Sequence, residues 1–263
     1  MSDTFTFVSY NIRKQVNLYK EMIDLVKNNS KTIVAIQERP KLPVMADISK
    51  NLPNGVKHIY KESVNDLAII YPSDMIITEK SFENTMFNLE EVEKRTLNVE
   101  IDFPKESISI INIHGYSKLE RDHNDLNEKI FKTLNLIKKP SKHLVIGDFN
   151  MDPFEENLFN ETTFMSFREK NYVENSDSKK PMYYNPSWKY MCEKDHPKGT
   201  IFYEASMVQW SMFDQVLISK DFVNNYISFE IPLMLGTKMI SVSDCKSEEK
   251  FSDHMPIKLT MEI

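Results

Sequence analysis

The chain has 263 residues, 33 of them Lys or Arg and 39 Asp or Glu, for a formal net charge of -6. With 41% hydrophobic and 11% aromatic residues it carries enough apolar material for a core, which excludes wholesale disorder. Its five glycines stand far apart, which excludes a GxGxxG turn or a Walker loop; any phosphate must be handled by side chains or a metal ion. The acidic balance speaks against a protein that coats nucleic acid, but not against an enzyme that touches phosphates briefly. Cys192 and Cys245 are too few for a disulfide scaffold and have no metal-like spacing. The start Met1-Ser2-Asp3-Thr4-Phe5 has no signal-peptide pattern, and no stretch approaches the ~18 apolar residues of a membrane span. A cytoplasmic protein without a membrane span is the expectation.

Phe5 to Tyr10 reads as a strand, followed by a helical face at Leu18, Met22, Leu25 and Val26. Ile33-Val34-Ala35-Ile36 is short and wholly apolar, as a buried strand is, so the opening is strand–helix–strand and the class is α/β. The acidic cluster Glu90-Glu91-Val92-Glu93 reads as a solvated loop. Leu67 to Tyr71, Leu97 to Ile101 and Ile108 to Ile113 are further strands. Leu126, Ile130, Leu134 and Ile137 form a second helical face, before the strand Leu144-Val145-Ile146. Asp152-Pro153-Phe154-Glu155 predicts a helix start, with Asp as N-cap, Pro first and Glu third. Residues 174–200 are polar, carry prolines and predict a long surface loop. Val216-Leu217-Ile218 and Ile257 to Ile263 are the last strands. No repeat or linker interrupts the chain, so residues 1–263 are expected to form one domain.

Polar residues gather where these strands end. Asn11 follows the first, Glu38 the second, His114 a middle one, and Asp148 and Asn150 follow Leu144-Val145-Ile146-Gly147. Asp214 precedes Val216, and Asp253-His254 precedes the last strand. Strand ends in layered α/β folds face a common crevice. Carboxylates, an amide and imidazoles together suit a hard divalent metal and a phosphate ester. Singly, each has a plainer explanation, since Gly, Asp and Asn also make turns and Asp253-His254 reads equally as a surface pair. Their joint occurrence favours a site.

Ser9-Tyr10-Asn11, Ile36-Gln37-Glu38, Asn112-Ile113-His114, Gly147-Asp148-Phe149-Asn150, Phe213-Asp214-Gln215-Val216-Leu217 and Ser252-Asp253-His254 resemble the ordered motifs of the endonuclease/exonuclease/phosphatase superfamily. The resemblance spans nearly the whole chain. It implies a four-layer α/β sandwich of two mixed β-sheets flanked by helices, and metal-dependent hydrolysis of phosphate esters. It implies Glu38 as principal ligand of Mg²⁺ (or Mn²⁺), supported by Asn11, with Asp253 on the metal or its water. It implies Asp148 as the residue that orients and deprotonates the attacking water, and Asn150 as a partner of phosphate or water. His254 would face the developing charge with Asp214 on its other nitrogen, and His114 would contact phosphate or serve as leaving-group acid.

Four positions are candidates for substrate contact: Arg13, Arg95, Tyr116 and Trp188. Arg13 stands where some relatives carry an acidic metal-holding residue, so phosphate contact and plain exposure are both open. Trp188 and Tyr203 could stack a base, although core packing is the more ordinary role of each. A phosphodiesterase, most naturally a nuclease with nucleic acid as its partner, is the leading reading. The alternatives are a phosphomonoesterase for inositol or nucleotide phosphates, and a catalytically inactive binding module.

Overall fold

The computed structural model describes residues 3–61, 66–82, 89–103, 106–136, 141–192, 197–203, 209–236, 238–240 and 251–263. In chain order the strands are β1 (Thr4–Asn11), β2 (Thr32–Gln37), β3 (Val56–Tyr60), β4 (Ala68–Pro72), β5 (Ile76–Glu79), β6 (Thr96–Asp102), β7 (Ser107–His114) and β8 (His143–Asp148). They continue as β9 (Ser166–Phe167), β10 (Tyr183–Tyr184), β11 (Ile201–Phe202), β12 (Trp210–Ser211), β13 (Asp214–Ser219), β14 (Tyr226–Glu230), β15 (Met234–Leu235), β16 (Lys238–Met239) and β17 (Ile257–Glu262). The helices are α1 (Val16–Asn28), α2 (Leu42–Lys50), α3 (Glu90–Arg95), α4 (His123–Leu136), α5 (Glu156–Phe159), α6 (Lys170–Glu174) and α7 (Trp188–Cys192).

Two mixed sheets carry the fold. The first runs β14-β17-β1-β2-β4-β3 and the second β5-β6-β7-β8-β13-β10-β9. The β1/β2 and β7/β8 pairs are parallel, and the strands flanking them are antiparallel. Parallel neighbours need a crossover, and α1 and α4 supply it. Each crossover helix covers the outer face of its sheet. Leu18, Tyr19, Met22 and Val26 of α1 pack with Val8, Val34 and Ile36. Ile130, Phe131 and Leu134 of α4 pack with Ile111, Ile113 and Val145. The alternate residues Phe7, Ile33, Ala35, Ile110, Leu144 and Ile146 form the core between the sheets. These central strands are buried on both faces, which is why they read as unbroken apolar runs. Helix, sheet, sheet, helix is the four-layer arrangement that the motifs imply.

Toward the C-terminal ends of β1, β2, β7 and β8 the inter-sheet core turns polar. Gln37, fully buried, exchanges hydrogen bonds with Ser9 and donates to Asn112 Oδ1 at 2.6 Å. Asn112 in turn donates to the carbonyl of Ile36 at 2.9 Å. Uncharged amides cross-link the sheets here and fix the height at which Asn11, Glu38, His114 and Asp148 emerge. Gly147 has φ +147°, and a Cβ there would meet the Ile113 carbonyl oxygen at 2.0 Å. Only glycine lets β8 approach β7 closely enough to carry Asp148 beside His114.

Several expectations need correction. The stretch 174–200 is not simply a surface loop: β10 joins the second sheet between β13 and β9, and Tyr183, Asn185 and Ser187 are buried. Asn185 accepts from the Ser187 amide and donates to Gln215 at 2.8 Å. Its polar residues are buried because they are paired, which hydropathy does not register. The acidic cluster at 90–93 is the helix α3, with Val92 buried and Lys94 paired to Glu90 and Glu91. At Asp152-Pro153-Phe154-Glu155 half of the expected capping box forms, the Asp152 amide donating to Glu155 Oε1 at 3.0 Å. Its helix, however, starts only at Glu156 and has four residues. The Asp152 carboxylate instead accepts the Met212 amide at 2.6 Å. Ile137 and Cys245 lie outside the described residues.

Candidate active site

The strand-end residues from both sheets meet around one carboxylate. Asp148, 1% exposed, ends β8, and the sheet registers place it beside His114 of β7 and Asp214 of β13. From the facing sheet, Asn11 at the end of β1 donates its Nδ2 to Asp148 Oδ2 at 3.0 Å and to Glu38 Oε1 at 3.2 Å. His254 Nδ1 lies 2.7 Å from Asp214 Oδ2, while His254 Nε2 and His114 Nε2 each lie 3.8 Å from Asp148 Oδ2. The Asn150 amide donates to Asp148 Oδ1 at 2.8 Å.

The segment carrying His254 is stitched to both sheets. Ser252 Oγ donates to the Asn11 carbonyl at 2.7 Å and accepts the His254 amide at 3.2 Å. The Met255 amide donates to the Thr200 carbonyl at 2.7 Å, and Thr200 Oγ1 accepts the Asp214 amide at 3.1 Å. Arg13, Lys14, Glu38 and Asn150 all have positive φ, between 48° and 61°. Non-glycine residues seldom take this conformation, and four of them stand in the turns that aim the site.

Electrostatics set the proton inventory. Burial disfavours a charged His254, but the carboxylates of Asp214 and Asp148 outweigh it and push the imidazole up to about 10. Burial raises Asp214 as well, against the pull of the imidazolium beside it. At neutral pH the pair therefore holds a proton with Nε2 directed at the Asp148 side.

Two cavities are lined by neighbours of Asp148, one by His114 and the other by Asn150. One, about 380 Å³, is lined by Glu38, Asp66, His114, Tyr116, Lys14 and Arg95 among others. The other, about 760 Å³, is lined by Asn150, Asp152, Tyr203, Phe213, Phe154 and Lys118 among others.

This two-sheet arrangement recurs in solved structures. The Xenopus laevis APE2 catalytic domain matches with a TM-score of 0.61 and 15% identity, over 98% of this chain and 93% of that one. A humanized D. rerio TDP2 matches at 0.59 and 13% identity over 99% of each chain. The Neisseria 3′ phosphatase NExo, bound to product DNA hairpin, matches at 0.59 and 14% identity, over 97% of this chain and 98% of that one. The chain has the endonuclease/exonuclease/phosphatase fold. No protein-family model and no curated protein sequence matches it. None of its described helices is long and apolar enough to cross a membrane.

Within the endonuclease/exonuclease/phosphatase fold the sequence-predicted residues fall into four groups. Asn11, Glu38, His114, Asp148, Asn150, Asp214 and His254 are brought together around Asp148. Arg95 and Tyr116 share the Glu38 cavity and also touch each other, the guanidinium standing 3.8 Å from the ring centroid. Arg13 and Asp253 pair with each other at 3.3 Å, half-exposed. The carboxylate expected near a metal thus already holds the cation expected near phosphate. Trp188 in α7 is partly buried, its indole nitrogen enclosed without a partner. It lines neither cavity, which favours the packing role over the stacking one.

The donor set fits a hard divalent cation at Glu38. Its carboxylate opens on the smaller cavity and carries one side-chain hydrogen bond, from Asn11. One carboxylate with an amide beside it is the sparse protein shell that Mg²⁺ accepts while keeping its waters. Asp148, Asp214 and His254 also stand close enough to surround an ion. A protonated imidazole is a donor and not a ligand, however, so this group suits holding a proton rather than a metal. The sequence reading missed Lys14, Lys118 and Thr200. Lone cations and a threonine carry no spacing signal, and only the folded cavities bring them to the site.

Proposed function

We propose that residues 1–263 act as one metal-dependent phosphodiesterase, and specifically a nuclease. The observation that carries this reading is the sharing of Asp148 between two assemblies: the Asn11–Glu38 pair and the His254–Asp214 pair. Hydrolysis of a phosphate ester needs an oriented water, a cation for the phosphate oxygens and a proton donor for the developing charge, all within a few ångströms.

In this reading the carboxylate of Asp148 accepts the proton of the attacking water, and Asn150 orients phosphate or water. Because Asn11 and the Asn150 amide hold Asp148 from two sides, its lone pairs are fixed in direction before substrate arrives. His254 Nε2 donates to a non-bridging phosphate oxygen as negative charge grows there. Asp214 keeps the imidazole charged and its ring plane fixed. His114, which lines the smaller cavity, donates to phosphate or to the leaving oxygen. Glu38 with Asn11 would hold Mg²⁺ or Mn²⁺, with Asp253 joining them only if it leaves Arg13, and the ion when bound would supply Lewis-acid stabilisation of charge on the phosphate oxygens.

Nucleic acid as substrate is supported by the match to NExo, which is itself bound to a DNA hairpin. A second reading, a phosphomonoesterase for inositol or nucleotide phosphates, is favoured by one feature. Lys14, Lys94 and Arg95 bring three cations, each ion-paired with a carboxylate, to the cavity that holds Glu38, Asp66 and His114. The two separate in a hydrolysis panel of single- and double-stranded DNA, RNA, a chromogenic diester and inositol polyphosphates, run with Mg²⁺ and with chelator. Chelator-sensitive cleavage of polynucleotides is the expected result. Phosphate release from monoesters alone would favour the second reading, and no hydrolysis by folded protein would leave a binding module.

A further inference from the structure

One residue, Arg13, engages two of the side-chain oxygens that the site offers beside Glu38. Its backbone amide donates to Asn11 Oδ1 at 3.1 Å, so Asn11 turns Nδ2 toward Glu38 and Asp148 and its oxygen the other way. Its guanidinium stands 3.3 Å from Asp253 Oδ2. The backbone sets this approach. Arg13 has φ +48°, in the turn that follows β1. Ser252 Oγ donates to the Asn11 carbonyl at 2.7 Å, and the Gln15 side-chain amide donates to the Phe251 carbonyl. These two bonds, one on each side of Arg13, tie its turn to the segment that carries Asp253. Asp253 belongs to the field of the site, for with Asp214 and Asp148 it holds the proton on His254. Carboxylates gathered in one crevice disfavour one another's charge unless positive charge stands among them. The His254 imidazolium answers Asp214 and Asp148, and the Arg13 guanidinium answers Asp253.

We propose that Arg13 is the resident cation of the metal-free site, and that Asp253 changes partner from its guanidinium to a divalent ion when the site is loaded, so that Arg13 lowers the affinity for that ion. The inference rests on the phosphodiesterase reading, with Glu38 as metal ligand, and adds the residue that regulates loading. A guanidinium has donors and no lone pair, so it competes with an ion for the carboxylate and cannot join it as a ligand. Two positive charges on one carboxylate also repel each other. The side chains of Arg13 and Asp253 are 56% and 47% exposed, and a pair so open to water is weak. A buried pair would close Asp253 to a metal; an exposed one tunes how readily it is given up.

The test is Mn²⁺ binding, read from the electron paramagnetic resonance signal of the free ion, with the chain first stripped of metal. The proteins are the wild type, Arg13→Gln, Arg13→Lys, Asp253→Asn, the Arg13→Gln/Asp253→Asn double variant and Glu38→Gln. Arg13→Gln removes an exposed charge and leaves the backbone amide on Asn11, so the core is untouched. It is expected to tighten Mn²⁺ binding by roughly two- to fivefold, the weight of an exposed ion pair. Arg13→Lys keeps a cation in place and should bind as the wild type does. Loss of any nearby cation favours Mn²⁺ through space, so the deciding comparison is the same change in the Asp253→Asn background, where most of the gain should vanish. Unchanged or weaker binding by Arg13→Gln, a gain as large in Arg13→Lys, or an equal gain in both backgrounds overturns the proposal. Binding that depends on Glu38 but not on Arg13 overturns the proposal alone. If no protein binds Mn²⁺, or Glu38→Gln binds it as well as the wild type, the metal site at Glu38 has failed and the proposal falls with it.

Discussion

Two histidines show how the same ring acquires opposite properties in one molecule. His254 is buried against Asp214 and Asp148, and is pushed up to about 10. His58, on β3, is hydrogen-bonded through both nitrogens, but to hydroxyls: Nδ1 lies 2.9 Å from Tyr19 and Nε2 2.8 Å from Ser49. Burial without a carboxylate lowers it to about 4. Burial alone expels the proton, and a neighbouring carboxylate holds it. The His58 cluster is a neutral seam between α1, α2 and β3, while the His254 cluster stores a charge ready for use.

The largest test of this contrast is catalytic. His254→Ala is expected to lower turnover on a phosphodiester by at least about 10²-fold, whereas His58→Ala stays within about twofold. Equal losses in steady-state assays would erase the distinction. Next is the charge that makes the difference: Asp214→Asn should move the imidazole titration of His254 well below about 10, followed by NMR across pH. An unmoved titration would mean that Asp214 is not what holds the proton.

The third test reads stability against pH. His58 has a lowered value in the folded state, so its contribution is present above the unfolded value of 6.5 and is lost as pH falls toward about 4. His254 has a raised value, so its contribution is present below 6.5 and is lost as pH rises through about 10. Urea midpoints should fall on both sides, His58→Phe flattening only the acid limb and His254→Ala only the alkaline one. The smallest effect is Tyr19→Phe, which strips the partner from His58 Nδ1 and should cost about 1 kcal/mol in denaturant unfolding.

Legibility in the sequence followed the same physics. Strands covered on both faces were plain, because Ile33-Val34-Ala35-Ile36 and Leu144-Val145-Ile146 have no polar side to show. The residues that converge on Asp148 were also readable, since each interrupts an apolar run where its strand ends. What stayed hidden depends on partners distant in sequence. Asn185 and Ser187 look like loop residues until Gln215 is placed beside them. Glu91 looks like solvated charge until Tyr116, 25 residues away, donates to it. Asp152 has the right spacing for an N-cap, yet the Met212 amide, sixty residues away, takes its carboxylate. Trp188 and Tyr203 were alike as aromatic candidates, and only the fold separates an enclosed indole from a half-exposed ring at a cavity wall.

The central claim is that Glu38 and His254 serve one hydrolytic site. It is tested most directly by Mg²⁺-supplemented hydrolysis of bis(4-nitrophenyl) phosphate by the wild type, Glu38→Gln and His254→Ala, each confirmed folded. The account predicts turnover by the wild type that chelator abolishes and that falls by at least about 10²-fold in both variants. Turnover that survives chelation, or a His254→Ala protein as fast as the wild type, would contradict it.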